Sequence, residues 1–264
     1  RLDLREARAL RAGRREAEAA AEAVPQDADE ADAQARMLAE LFEAVQDGDD
    51  GEVEVLLDAG VPIDATDWAG KTALMMAAAE GHAELVTLLI EKSASIEQQD
   101  ASGGDAVLCA SVSGQAETIS ALVDAGASID RPNKAGETPL LLAAAAGHGN
   151  LIEFLIEHGA DTGARDWRGR LAVVRALDAG HPDVARSLID LGATCTLDVA
   201  SALGNLTAVE RLLKEGWSVD EADAKGVTSL MKAAAEGHGP IVALLLEKGS
   251  RVRTCDHEGS DALV

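Results

Sequence analysis

Three kinds of residue in this chain are types that do chemistry: six His, three Cys and a dense supply of carboxylates. Imidazole, thiolate and carboxylate groups can ligate a metal, attack a carbonyl or move a proton, provided they converge on one point. Their spacing argues against convergence. His82, His148, His181 and His238 each follow a Gly, a pair that reads as a helix stop, so these four are expected to be structural. His158 falls at the end of a helical run and His257 on a turn. Cys109, Cys195 and Cys255 are odd in number and lack Cys-x-x-Cys spacing, which suits thiols in a reducing compartment. Cys109 sits inside a predicted helix and is expected in the core, whereas either Cys195, at the array break, or Cys255, before the last turn, is a candidate for access; reactive use would require an electropositive neighbourhood. The stretch "DGDDGEVE" (47–54) has the acidic density of a calcium loop but lacks the alternating ligands and the Glu at the twelfth position. No Gly-rich phosphate loop follows a strand. These residues therefore predict no catalysis, no cofactor and no metal.

The elements that carry them repeat. Asp67, Asp100, Asn133 and Asp166 lie 33 residues apart, and Gly81, Gly114, Gly147 and Gly180 keep the same register. So do the apolar runs "ELVTLLI" (84–90), "ETISALV" (117–123), "NLIEFLI" (150–156) and "DVARSLI" (183–189). A period of this length implies stacked supersecondary units. Within each unit, Asp-x-x-Gly predicts a tight turn. Thr72, Thr138 and Thr228 stand where a hydroxyl can cap a first helix. Ala-rich segments (77–79, 143–146, 233–235) allow close helix approach, and the second helix carries Leu, Val and Ile at helical spacing.

The segments "DWAGKTALMMAAAEGH", "NKAGETPLLLAAAAGH" and "DAKGVTSLMKAAAEGH", followed by "GAS", "GAD" and "GAT" turns, closely resemble the ankyrin repeat family over roughly residues 34–264. The resemblance implies an all-α repeat solenoid of helix-turn-helix units, each with a β-turn or hairpin finger. The family's Thr-Pro-Leu-His motif is altered throughout, and Asp105 and Leu171 replace its Thr. Loss of the motif His removes bonds between repeats, so lower rigidity is expected around 100–132 and 166–194.

The period breaks once. Gly204 comes nine residues early, and the unit "TLDVASALGNLTAVERLLKEG" (196–216) has no room for a preceding turn. It matches the opening unit "AELFEAVQDGDDGEVEVLLDAG" (39–60). One reading is a first array over 34–194, about four units, joined to a second over 195–264; a simple deletion is the alternative. "DHEGSDALV" (256–264) begins a further repeat, which would leave an apolar face uncovered, and the chain starts at Arg1 without Met. Both suggest a longer natural chain. Residues 1–24 form an Arg-, Ala- and Glu-rich predicted extra helix, followed by an acidic linker (25–33). Arg1, Arg5, Arg8, Arg11 and Arg15 fall on one side of that helix. Such a stripe either docks on an acidic surface or is simply solvated.

Composition bounds the partners. The formal charge is −24, from 47 acidic and 23 basic side chains, which opposes binding to nucleic acid or anionic membrane. No apolar run is long enough for membrane insertion. Aromatics make up only 2% of the chain, fitting a thin layer of short helices better than a globule. In proteins of the resembled family, the turn tips and the exposed side of the first helices bind partners. Carried over, the candidate partner-binding residues are Trp68, Lys71, Lys134, Glu137, Trp167, Arg168, Arg170 and Lys225. Trp68 and Trp167 occupy the same tip position three units apart, and Trp and Arg are enriched at binding hot spots. Polar turns whose Trp packs on its neighbour are the plainer reading. The expected function is a non-catalytic scaffold or adaptor for a protein partner, in the cytoplasm or in an organelle after transit-peptide removal. An ankyrin segment of a larger enzyme or channel, or an accessory subunit of a large complex, are the alternatives.

Overall fold

The computed structural model describes residues 26–223 and 225–263. Among these residues the chain forms seven helix pairs. They are α1 (Gln26–Asp47) with α2 (Asp50–Asp58), α3 (Ala73–Glu80) with α4 (Ala83–Glu91), and α5 (Ala106–Ser113) with α6 (Ala116–Asp124). Next come α7 (Pro139–Ala146) with α8 (Gly149–Glu157), and α9 (Ala172–Asp178) with α10 (Pro182–Asp190). The last two are α11 (Leu197–Ala202) with α12 (Leu206–Lys214), and α13 (Ser229–Ala235) with α14 (Gly239–Glu247). The Arg stripe of residues 1–24 lies outside the described residues. The segment read as an acidic linker is helical from Gln26 onward, inside a run free of Gly and Pro to Asp47.

One unit explains the rest. The Asp67 amide donates to the Lys71 carbonyl (2.9 Å), closing a turn in which Gly70 takes the left-handed backbone. Thr72 Oγ1 then accepts the Met75 amide (3.3 Å) and starts α3. Ala77 and Ala78 are fully buried, so the neighbouring helices approach closely. After Gly81, α4 buries Leu85, Val86 and Leu89, each contributing about 1.5–3 kcal/mol by leaving water. The same faces join across units into one continuous aliphatic core running from Leu41 to Leu245.

The expected hairpin finger is absent. Among the described residues the only β pairing is two isolated bridges, Thr66 with Thr72 and Ala222 with Thr228. The reason is how each turn uses its donors. Asp67 Oδ1 accepts the Ala69 and Lys71 amides (both 2.8 Å), and Asp100, Asn133, Asp166, Asp223 and Asp256 do the same in their turns. The amide at the tip is given to the preceding unit instead. Ala101 donates to the Ala69 carbonyl, Lys134 to Ser102, and Trp167 to Ala135, each at 3.0 Å. Too few amides remain for a ladder within one turn, so the tips are tied to one another as a row.

The looseness expected around 100–132 does not follow from its missing Thr. Asp105 Oδ1 accepts the Leu108 amide (3.0 Å) and caps α5 as Thr would; Leu171 has no oxygen to offer and leaves α9 without a side-chain cap. Nor is the motif His needed for bonds between repeats. His82, His148 and His238 point Nε2 at the carbonyls of Gln46, Val112 and Ala202 in the unit before (3.0, 2.8 and 3.0 Å). A carbonyl only accepts, so each ring carries its proton on Nε2. Of the two cysteines that are candidates for access, Cys255 is exposed but Cys195 is buried.

The packing changes once along the stack. Successive first helices pack side by side along α1, α3, α5, α7 and α9, and again between α11 and α13. Between α9 and α11, where the turn is missing, the approach is looser. The junction is still filled by Ala193, Cys195 and Leu197, all in the continuous core, and Asn205 Nδ2 donates to Asp190 Oδ1 (2.7 Å). The row of tips resumes with the His257 amide donating to the Lys225 carbonyl (2.9 Å).

Candidate functional site

The tips at 67–71, 100–104, 133–137 and 166–170 form one edge of the stack, and α3, α5 and α7 form the wall beneath them. Between tips and wall lies an open cleft of about 850 Å³, centred on the unit that starts at Asp100. Leu108, Cys109, Val112 and Leu142 give it an apolar floor. Val112 is 54% exposed although it is aliphatic. Burial pushes the Cys109 thiol up to about 11, so at neutral pH it is an uncharged part of that floor.

Four of the eight sequence-predicted residues meet at this cleft: Lys71, Lys134, Glu137 and Trp167. Trp68 stands on the first tip, 97% exposed. Trp167 is 69% exposed, with the Arg168 guanidinium 4.7 Å above its ring. Lys225 belongs to the second row of tips. Arg170 is part-exposed and tied to its own unit, its guanidinium bonded to Asp166 Oδ2 (2.8 Å) and Asp178 Oδ2 (3.0 Å). Glu137 is held too, by Arg175 Nη2 (2.8 Å) and Asn133 Nδ2 (2.9 Å).

The electrostatics of the tips differ from those of the chain as a whole. Their acids turn inward onto their own turn amides. Partial burial pulls the Asp100 carboxyl upward, but hydrogen bonds from Ser102 and Gly104 and the charge of Lys71 outweigh it and hold it below the usual range. Apart from Arg170, their bases are not tied to carboxylates among the described residues: Lys71 and Arg168 form no ion pair, and Lys134 Nζ donates to the Ala101 carbonyl (2.8 Å) rather than to a carboxylate.

Sequence reasoning missed the cleft floor and its cause. The signal was in the register. The fifth turn position is Lys71, Glu137, Arg170 and Val227 in other units but Gly104 here, and Val112 stands where Ala79, Ala145 and Ala235 stand elsewhere. No chemistry-bearing cluster accompanies them. Among the described residues no three His, Cys, Asp or Glu side chains are grouped to hold a metal, and no helix is long and apolar enough to cross a membrane.

A family model described as ankyrin repeats (3 copies) matches residues 41–133, 109–199 and 197–264. The chain belongs to the ankyrin-repeat family. A human protein, ankyrin repeat and MYND domain-containing protein 1, is 48% identical over 61 residues. That match covers 23% of this chain and 6% of the human protein. This ankyrin-repeat chain thus spans a small fraction of the curated relative it matches.

Proposed function

We propose that the array is a non-catalytic scaffold that holds a protein partner across the tips and cleft of its first four turns. Trp68 is the observation that carries this reading. A side chain of that size left almost wholly in water loses the stabilisation burial would give it, about 1.5–3 kcal/mol for a large apolar group, and regains it when a partner covers it. Trp68 and Trp167 are the anchors, and Lys71, Lys134, Arg168 and Lys225 provide cationic contacts. Arg170 and Glu137 serve instead as braces behind the tips. The three free thiols suit a reducing compartment, which in this reading is the cytoplasm.

The test is a Trp68→Ala/Trp167→Ala double variant, measured against a partner isolated by affinity purification on the whole chain. Loss of two anchors of hot-spot size, about 2 kcal/mol or more each, weakens binding by about three orders of magnitude. The urea midpoint stays at the wild-type value, because neither ring is in the core. Wild-type affinity in the double variant would remove the anchors from the reading. A second reading, an interaction module within a larger protein, is favoured by the match to a human protein whose name joins ankyrin repeats to a MYND domain. The full reading frame tests it directly.

A further inference from the structure

The cleft lies where one side chain is missing from a row. At the fifth turn position the other units carry Lys71, Glu137, Arg170, Val227 and Ser260; this unit carries Gly104. Gly104 is not held in the left-handed backbone that requires Gly, unlike Gly103 beside it. Its amide bonds Asp100 Oδ1 at 2.8 Å, as the Lys71 amide bonds Asp67 Oδ1 at 2.8 Å. A Cβ there would lie 3.3 Å from the Asp100 carboxylate oxygens and 3.4 Å from Ser102 Oγ, a tight fit within a turn whose counterparts accept full side chains. The backbone therefore tolerates a side chain that the sequence does not supply, and the space opens directly above exposed Val112.

The rim adds charge to this shape. Lys71 stands on one side and Lys134 on the other, neither paired with a carboxylate among the described residues. Asp100 is bound by its own turn, and Glu137 by Arg175. An apolar floor between two available ammonium groups is complementary to an apolar side chain flanked by acids. It is a poor match for nucleic acid, which would meet two cations within a chain of charge −24.

We propose that the Gly104 cleft is a specificity pocket for one apolar side chain of an extended acidic segment of the partner protein, with Lys71 and Lys134 receiving the flanking carboxylates. This rests on the scaffold reading above and narrows it to a partner chemistry.

A phage-displayed random dodecapeptide library panned on the whole chain tests it. The expected clones carry Leu, Met or Phe between Asp or Glu residues. A fluorescein-labelled peptide copied from the leading clone should lose at least tenfold in affinity on Gly104→Val, which narrows the cleft at its centre with the residue found at 227. It should also lose affinity on Lys71→Ala/Lys134→Ala, and weaken as salt is raised. Should Gly104→Val shift the urea midpoint, Gly104→Lys, which brings in the residue type found at 71, replaces it. Clones without acidic enrichment, or no enriched clone, overturn the proposal, as does unchanged affinity in a stably folded Gly104 variant. If that same peptide is lost on Trp68→Ala/Trp167→Ala but kept on Gly104→Val, the cleft assignment falls while the tip scaffold stands. If neither variant affects it, both fall.

Discussion

Replacing Gly114 by Ala tests how one repeat is locked to the next. Gly114 ends α5 with φ +79° and ψ +24°, in the left-handed region, where a Cβ costs about 1–2 kcal/mol. A second effect comes from the following unit. The new Cβ would lie 2.7 Å from His148 Nδ1 and 2.8 Å from its Cγ, so the ring must swing away. Its Nε2–H then leaves the Val112 carbonyl, a 2.8 Å bond with a net value of about 1 kcal/mol. Gly114→Ala should therefore lose about 2–3 kcal/mol in all. Gly180 is the internal control. It has φ +86°, and an added Cβ would meet nothing within 4 Å, because the unit after it lacks both turn and His. Gly180→Ala should lose only the backbone part, about 1–2 kcal/mol. Urea unfolding followed by circular dichroism reads the difference, and hydrogen exchange over 138–157 reads it locally if the array unfolds in steps. In a His148→Ala background the Gly114→Ala loss should fall to the Gly180→Ala value, a coupling of about 1 kcal/mol. Equal losses at the two glycines, with Gly114→Ala and His148→Ala simply additive, would refute the idea that these histidines clamp the repeats.

Two further expectations concern the ion pairs behind the tips. Burial works against ionisation of the Asp166 carboxyl, but the Arg170 amide and guanidinium and the Arg168 amide outweigh it and hold its pKa below the usual value. A lowered carboxyl stabilises the fold above its unfolded pKa of about 4, and that contribution is lost as pH falls through the lower folded value. Asp166→Asn should be less stable than wild type at pH 7, with a gap that narrows on acidification; a gap independent of pH would count against it. Beyond the looser junction, between α11 and α13, Lys232 Nζ reaches Asp198 Oδ2 (2.6 Å) in the preceding unit and Asp223 Oδ2 (3.0 Å) in its own turn. Burial lowers the Lys232 pKa, but hydrogen bonds to these two acids outweigh it and raise it overall. The contribution is thus complete at neutral pH and lost only as pH rises through the raised folded value. Lys232→Met should lose about 1 kcal/mol after allowing for partial solvent screening, seen as faster hydrogen exchange over 197–202; unchanged exchange there would remove Lys232 as a brace between α11 and α13.

The repeat unit and its period can be read from the residues alone, because the turn, the cap and the helix faces are local. Asp-x-x-Gly closes on its own amides, Thr72 caps three residues ahead, and Leu85, Val86 and Leu89 share one face of a single helix. Whether those turns grow into hairpins was not local. Each tip amide has two possible destinations, its own unit or the carbonyl 32 residues back, and stacking chose the second, as Ala101 on Ala69 illustrates. The candidate site divides in the same way. Trp68 was legible as an exposed tip residue, while Arg170 looks equivalent to Lys71 in sequence and differs only in space, where Asp166 and Asp178 lie on either side of its guanidinium. The cleft at Gly104 depends on what its neighbours do with the space, and an absent side chain becomes a pocket only when the tips at 67–71 and 133–137 are stacked on both sides of it.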